Sequence, residues 1–250
     1  MRLLGVIPAR LGSTRLPHKP LQLLAGEPLV TRVIERVREL RLVDDLVVAT
    51  DAPMVAEVVE RAGIRAVLTR ADHPSGTERV AEVAALPEFA GFDMIANVQG
   101  DEPFLDVDAL KGAVERVRGG DDVGTAAAPL EPAHAADPAR VKVVTDVAGR
   151  ALWFSRAPIP FRRDNDTPAE GLYWQHVGLY VYRRAALERW ISLPPTRAEG
   201  AEKLEQLRAL EHGMRIGVAR LAHAVLPGID TAEDLARAQT QWRTLRGGTR

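Results

Sequence analysis

Arg10, Ser13, Thr14, Arg15 and Lys19 fall within one stretch, Pro8 to Pro20, directly after the apolar run Leu3-Leu4-Gly5-Val6-Ile7. Guanidinium groups offer planar forks and an ammonium offers a point charge, and both match phosphate oxygens. Pro17 and Pro20 each lack an N–H and restrict the residue before them, so the stretch is not helix. The apolar run reads as a buried strand, which makes Pro8 to Pro20 a loop at its carboxyl end. Open α/β sheets bind ligands at that edge, and the residue types suit a polyanion such as a nucleoside triphosphate.

Two carboxylates complement the cations. Asp101, with Glu102 and Pro103, follows the apolar run Asp93 to Val98 and presents an oxygen ligand suited to magnesium. The same tripeptide reads as a turn before a helix. Asp230 precedes Thr231-Ala232-Glu233-Asp234, and by itself is read as an ordinary helix cap. Several chemistries lack their signatures. There is no Walker A pattern, no Gly-x-Gly-x-x-Gly after the first strand, no His-x-x-x-His and no Gly-x-Ser-x-Gly.

The elements that must position these residues alternate in the first half. Pro28 to Leu40 carries Leu29, Val33, Val37 and Leu40 at helical spacing, and Asp45 to Thr50 reads as a buried strand. Pro53 starts a helix over Met54 to Ala62 that Gly63 ends, and Arg65 to Leu68 is a third strand. A second polar loop, Thr69 to Arg79, leads into a helix to about Leu86 with Thr77 as a candidate cap. Asp93 to Val98 is strand four, Gln99 to Pro103 closes it, and Asp106 to Arg118 is an amphipathic helix. This alternation predicts a doubly wound, mostly parallel sheet with right-handed crossovers. The loops at 8–20, 69–79, 99–103 and 227–231 are expected to meet at one edge of it.

Beyond Gly119-Gly120, the runs Val123 to Ala128, Val141 to Val144, Ala151 to Phe154 and Val177 to Tyr182 read as strands. The expected organisation is one domain over 1–250, with 121–183 forming a smaller antiparallel elaboration. Pro158 to Gly171 is polar loop, helix resumes over Ala198 to His212, and a last helix follows Asp230.

Composition bounds the class. The chain has 250 residues, 46% of them hydrophobic, enough for a sizeable core. A net charge of −1 gives no global basic field, which argues against nucleic acid or membrane as partners. The absence of cysteine excludes disulfides, thiolate metal sites and cysteine nucleophiles. With no apolar leader and no 18-residue apolar stretch, the expected location is the cytoplasm.

Three motifs in order make the sequence specific: Pro-Ala-Arg-x-x-Ser-Thr-Arg-Leu-Pro-x-Lys-Pro-Leu at 8–21, Thr-Arg-Ala-Asp-His-x-Ser-Gly-Thr-Glu-Arg at 69–79 and Asn-Val-Gln-Gly-Asp-Glu-Pro at 97–103. Later segments agree: Val141 to Val144, Phe154-Ser155-Arg156-Ala157-x-Ile159-Pro160, Leu204 to Arg208 and Gly228 to Leu235. Together they resemble the 3-deoxy-manno-octulosonate cytidylyltransferase (CMP-Kdo synthetase) family of the sugar nucleotidyltransferases, along nearly the whole chain.

The resemblance implies a Rossmann-like nucleotidyltransferase fold and attack of the anomeric 2-hydroxyl of Kdo on the α-phosphorus of CTP, without a covalent enzyme intermediate. It implies that Arg10, Ser13, Arg15 and Lys19 hold the triphosphate, and that the second loop, at Ala71, His73, Ser75, Gly76 and Arg79, binds the nucleotide and recognises cytosine. Asp101 and Asp230 are implied ligands of Mg2+, with Arg10, Lys19, Asp101 and Asp230 forming the catalytic set. Gln99, Arg156, His176, Tyr180 and Glu205 are the implied sugar-acid residues, and the elaboration is implied to contribute to the sugar site and to a homodimer. Residues 161–171 and Leu172 to Gln175 depart from the family wording, so another ulosonic acid, such as 8-amino-Kdo, stands as an alternative acceptor. A non-catalytic nucleotide-binding protein is the alternative from a different class.

Overall fold

A computed structural model describes residues 1–13, 15–164, 166 and 168–247; Thr14 of the first motif and Asn165 of the polar loop lie outside the described residues. The chain divides into two compact units, one comprising residues 1–105 and 226–250, the other residues 106–225.

The first unit opens with β1 (Leu3–Pro8), nearly every residue of which is buried. Such a run fits a strand covered on both faces, as parallel sheets require. A small hairpin, β2 (Leu23–Leu24) with β3 (Glu27–Pro28), leads to α1 (Leu29–Leu40). Leu29, Val30, Val33, Ile34 and Val37 form its buried stripe, each stabilising by roughly 2 kcal/mol relative to exposure. Then come β4 (Asp45–Thr50), α2 (Pro53–Arg61), β5 (Arg65–Leu68), α3 (Gly76–Ala84) and β6 (Met94–Val98). β1 pairs in parallel with β4 on one side and β6 on the other, and β4 pairs in parallel with β5. The spatial order β5-β4-β1-β6 reverses direction between β1 and β6. This is the topological switch point, whose crevice beyond the strands' carboxyl ends binds ligands in doubly wound folds.

The second unit begins with α4 (Val107–Arg118), capped by Asp106, whose carboxylate accepts from the N–H groups of Asp108 and Ala109. β7 (Val123–Leu130), β8 (Lys142–Thr145), β9 (Ala151–Ser155) and β10 (Tyr173–Arg183) follow. β10 pairs antiparallel with β7 and β8, and β8 with β9, so the expected antiparallel strands are present. α5 (Arg184–Ser192), α6 (Arg197–Glu202), α7 (Gln206–Glu211) and β11 (Ile216–Arg220), which runs parallel to β7, complete the unit. Sequence reading had marked neither α5 nor β11. It also ran α6 and α7 together, whereas Lys203 adopts φ 53° between them, a left-handed residue that ends the first helix.

The chain returns to the first unit with α8 (Ala232–Gly247). Leu235, Ala238 and Trp242 of α8 pack with Ile229 against Leu16, Leu24 and Leu29. This cluster draws the first polar loop and the segment around Asp230 together.

Candidate active site

All four polar loops belong to the first unit, and all four line one open cavity of about 350 Å³. From the first come Pro8, Ala9, Arg10, Ser13, Arg15, Lys19 and Pro20; from the second His73 to Gly76 and Arg79; from the third Gln99, Gly100 and Asp101; from the fourth Asp230. The first and third loops leave β1 and β6, the strands flanking the switch point. Gly100 allows them to approach, because a Cβ there would sit 2.8 Å from the Pro8 carbonyl oxygen. The fourth is tied to the third by the Ile229 N–H, which donates to the Asp101 carbonyl at 2.9 Å.

Lys19 organises the charges. Its ammonium donates to Asp101 Oδ2 in a short contact and to Asp230 Oδ1 at 2.8 Å. Arg15 adds a second cation 3.0 Å from Asp230 Oδ1. Burial works against the Lys19 charge, but the carboxylate of Asp101, helped by Asp230, holds the amine above the ordinary lysine range. Asp230 does not cap α8: Thr231 accepts from the Asp234 N–H at 3.1 Å while Asp234 accepts from the Thr231 N–H at 2.9 Å. That reciprocal cap leaves the Asp230 carboxylate to the cations.

Sequence reading did not single out Glu102 by itself. Burial, with the charges of Asp101 and Asp230 acting the same way, pushes its carboxyl well above the usual range. Asp101 and Asp230 supply hard oxygen donors converging on one point, the donor set a divalent cation such as Mg2+ prefers.

The second loop is fastened at several points. Ser75, rather than Thr77, caps α3, accepting from the Thr77 N–H at 3.2 Å. His73 Nε2 makes a short contact with Glu82 on α3, and Glu82 accepts from the Arg70 N–H at 3.3 Å. Arg79 lines the cavity, yet its guanidinium is buried against Thr69 Oγ1 at 2.5 Å and Asp51 Oδ2 at 3.2 Å. Arg79 thus fixes the loop to the ends of β4 and β5. By sequence Asp51 is only the start of the connection after β4 and Glu82 has no assigned role, although the place of Asp51 at the carboxyl end of a parallel strand is a signal for a site residue. Ala71 is exposed and is not part of the cavity lining.

Of the residues expected at a sugar acid, Gln99 lines the cavity of the first unit and its amide donates to Asn97 Oδ1 at 3.4 Å. The others lie in the second unit. The His176 ring packs 5.3 Å from that of Tyr180 and edge-on to Phe154 at 5.1 Å. Burial lowers the His176 pKa to about 4. Burial also raises the Tyr180 phenol well above its ordinary value, with the Glu205 charge adding to the rise, so His176, Tyr180 and Glu205 form one neighbourhood. Arg156 donates through Nε to the Glu202 carbonyl at 2.7 Å and through Nη1 to the Pro138 carbonyl at 2.8 Å. The buried ammonium of Lys142 in turn donates to the Arg156 carbonyl at 2.6 Å.

A separate group, Asp106, Asp108 and His223, brings ligand atoms within 4.8 Å of one another in the second unit. The oxygens of Asp106 are already used by the α4 cap and by His223 at 2.9 Å. Among the described residues no helix is long and apolar enough to cross a membrane.

The cytidylyltransferase family model matches residues 4–216. A 3-deoxy-manno-octulosonate cytidylyltransferase from Gemmatimonas aurantiaca is 56% identical over 98% of this chain and 96% of its own length. One from Anaeromyxobacter sp. is 48% identical over 95% of this chain and 96% of its own. A structure of CMP:2-keto-3-deoxy-manno-octonic acid synthetase complexed with CTP superposes with a TM-score of 0.91 at 37% identity, covering 98% of this chain and 100% of that one. A Bacillus anthracis protein described as a putative glucose-1-phosphate thymidylyltransferase, 16% identical, has a TM-score of 0.66 over 96% of this chain and 95% of its own, a likeness of fold alone. With motifs in register along the chain and full-length relatives at this identity, the protein belongs to the 3-deoxy-manno-octulosonate cytidylyltransferase family of nucleotidyltransferases.

Proposed function

We propose that the protein transfers the cytidylyl group of CTP to the anomeric 2-hydroxyl of 3-deoxy-manno-octulosonate, giving CMP-Kdo and diphosphate for lipopolysaccharide precursor synthesis. The hydroxyl oxygen forms a bond to the α-phosphorus, the α–β bridging P–O bond breaks, and the hydroxyl proton passes to solvent. The observation that carries this reading is the convergence of Arg10, Ser13, Arg15 and Lys19 with Asp101 and Asp230 around one cavity at the switch point. Such a displacement needs positioning and charge neutralisation rather than a protein nucleophile.

Arg10, Arg15 and Lys19 bind the triphosphate oxygens and stabilise the departing diphosphate. The second loop, held by Ser75, Arg79 and the His73–Glu82 contact, seats the base. Asp101 and Asp230 fit Mg2+, which when bound supplies further charge neutralisation at the phosphates. Acceptor recognition is assigned on family membership to Gln99 in the first unit and to Arg156, His176, Tyr180 and Glu205 in the second. The same family membership supports a cytoplasmic homodimer, which light scattering on the purified protein tests.

The deciding experiment is diphosphate release from CTP across a panel of sugar acids, with Mg2+ and then with a chelator. Release with Kdo that the chelator abolishes is the expected result. Preference for 8-amino-Kdo or another ulosonic acid changes the acceptor, a reading favoured by the divergent wording of 161–175. Binding of CTP without diphosphate release for any acceptor overturns the enzymatic reading.

A further inference from the structure

We infer that Lys19 is a built-in counter-ion for the metal position: its ammonium sits between Asp101 and Asp230 until a triphosphate draws it away, so that divalent metal and nucleotide enter the site cooperatively. This rests on the reading of the cavity as a triphosphate site.

Asp101 and Asp230 are 129 positions apart in the chain, yet one amine bonds both. Like charges brought this close repel unless a cation lies between them. Lys19 is well placed for that task. Its side chain is 18% exposed and that of Asp101 22%, which limits screening by water, and Arg15 supplements it only at Asp230. The carboxylates that bond the amine are the ones that would hold a hard divalent cation, so ammonium and dication compete for the same negative charge. Metal binding to the protein alone would therefore work against the Lys19 charge.

A triphosphate changes the balance. Lys19 lines the same cavity as Arg10, Ser13 and Arg15, so phosphate oxygens there offer the ammonium a new anionic partner as it leaves the carboxylates. The released carboxylates then accept metal. Linkage makes this reciprocal, since nucleotide raises metal affinity by the factor by which metal raises nucleotide affinity.

The test is Mn2+ titration of the intact protein without nucleotide, with free Mn2+ counted by electron paramagnetic resonance. Wild type should bind weakly. Lys19→Met, which keeps the length of the side chain and removes its charge, should bind at least tenfold more tightly. Lys19→Arg, which keeps the charge, should stay within threefold of wild type. Adding Asp101→Asn to Lys19→Met should abolish the gain, and Mn2+ should raise the melting temperature of Lys19→Met more than that of wild type. Unchanged or weaker Mn2+ binding by a folded Lys19→Met protein overturns the proposal. The same holds for a gain that survives Asp101→Asn. Failure of the transferase reading would appear instead in the diphosphate-release assay, which this titration does not use.

Discussion

Thr125 Oγ1 lies 2.9 Å from His176 Nε2 and 2.6 Å from the carbonyl oxygen of Leu179. A hydroxyl has one proton, and the Leu179 carbonyl takes it, so toward His176 the Thr125 oxygen accepts. The imidazole therefore carries its proton on Nε2 and keeps Nδ1 as an acceptor. Packed against Phe154 and Tyr180, it is held neutral, with a pKa lowered to about 4 by burial.

That neutral ring makes stability depend on acidity. Between the ordinary histidine value of 6.5 and about 4, the unfolded chain binds a proton that the folded chain does not. The contribution is complete above pH 6.5 and is lost as pH falls, by no more than about 3 kcal/mol given that the residue as a whole is partly exposed. Urea denaturation at pH 7 and pH 4.5 should show the loss, and His176→Gln should remove this part of it.

Asp101→Asn keeps the size of the side chain and a hydrogen-bond acceptor for Lys19, so the fold should survive. Turnover should fall by roughly a hundredfold or more, the scale set by removing one preorganised charged group from a reacting centre. Steady-state kinetics at saturating Mg2+, with circular dichroism as a control, check this; near-normal turnover would remove Asp101 from the metal position.

Arg79→Ala leaves the Asp51 carboxylate without its cation at the end of β4, where one of its oxygens already lacks a partner. Breaking a buried pair from one side costs about 3–5 kcal/mol. Arg79→Ala should therefore show a lower denaturation midpoint and a raised KM for CTP, because the loop it fastens lines the cavity. Asp51→Asn should be milder, since an amide oxygen still accepts from the guanidinium.

Gly100→Ala tests the approach of the first and third loops. The added methyl would lie 2.8 Å from the Pro8 carbonyl oxygen, a rigid backbone neighbour, so the loops must separate. kcat/KM should drop at least tenfold, since small misplacements of reacting groups are costly. Far-ultraviolet circular dichroism should stay as in wild type.

Lys19→Ala should chiefly weaken the use of CTP, lowering kcat/KM for the nucleotide. A change confined to the KM of the sugar would contradict its placement on the triphosphate.

Much of the site was legible in the sequence because its parts are local. Short apolar runs marked β1, β4, β5 and β6, and the polar stretches after β1, β5 and β6 were expected to be loops at strand ends. The motifs at 8–21, 69–79 and 97–103 carried the family resemblance. Other features depend on distant pairings that no local pattern encodes. Asp230 reads locally as a helix cap, and only the family resemblance implies a metal role for it; in the fold Leu16 and Ile229, packed in one cluster with α8, set its carboxylate beside Lys19 and Arg15. Arg79, expected at the nucleotide, lines the cavity, and no local pattern shows that its guanidinium also meets Asp51 and Thr69. Ser75 took the cap assigned to Thr77 because its hydroxyl is the one that meets the Thr77 N–H. The chain order by itself determined which residue types gather at the rim of the sheet, since strand, loop and helix follow from short-range periodicity and backbone sterics. Only the tertiary structure decided which cation neutralises which carboxylate, because that depends on packing between residues as distant as Arg15 and Asp230.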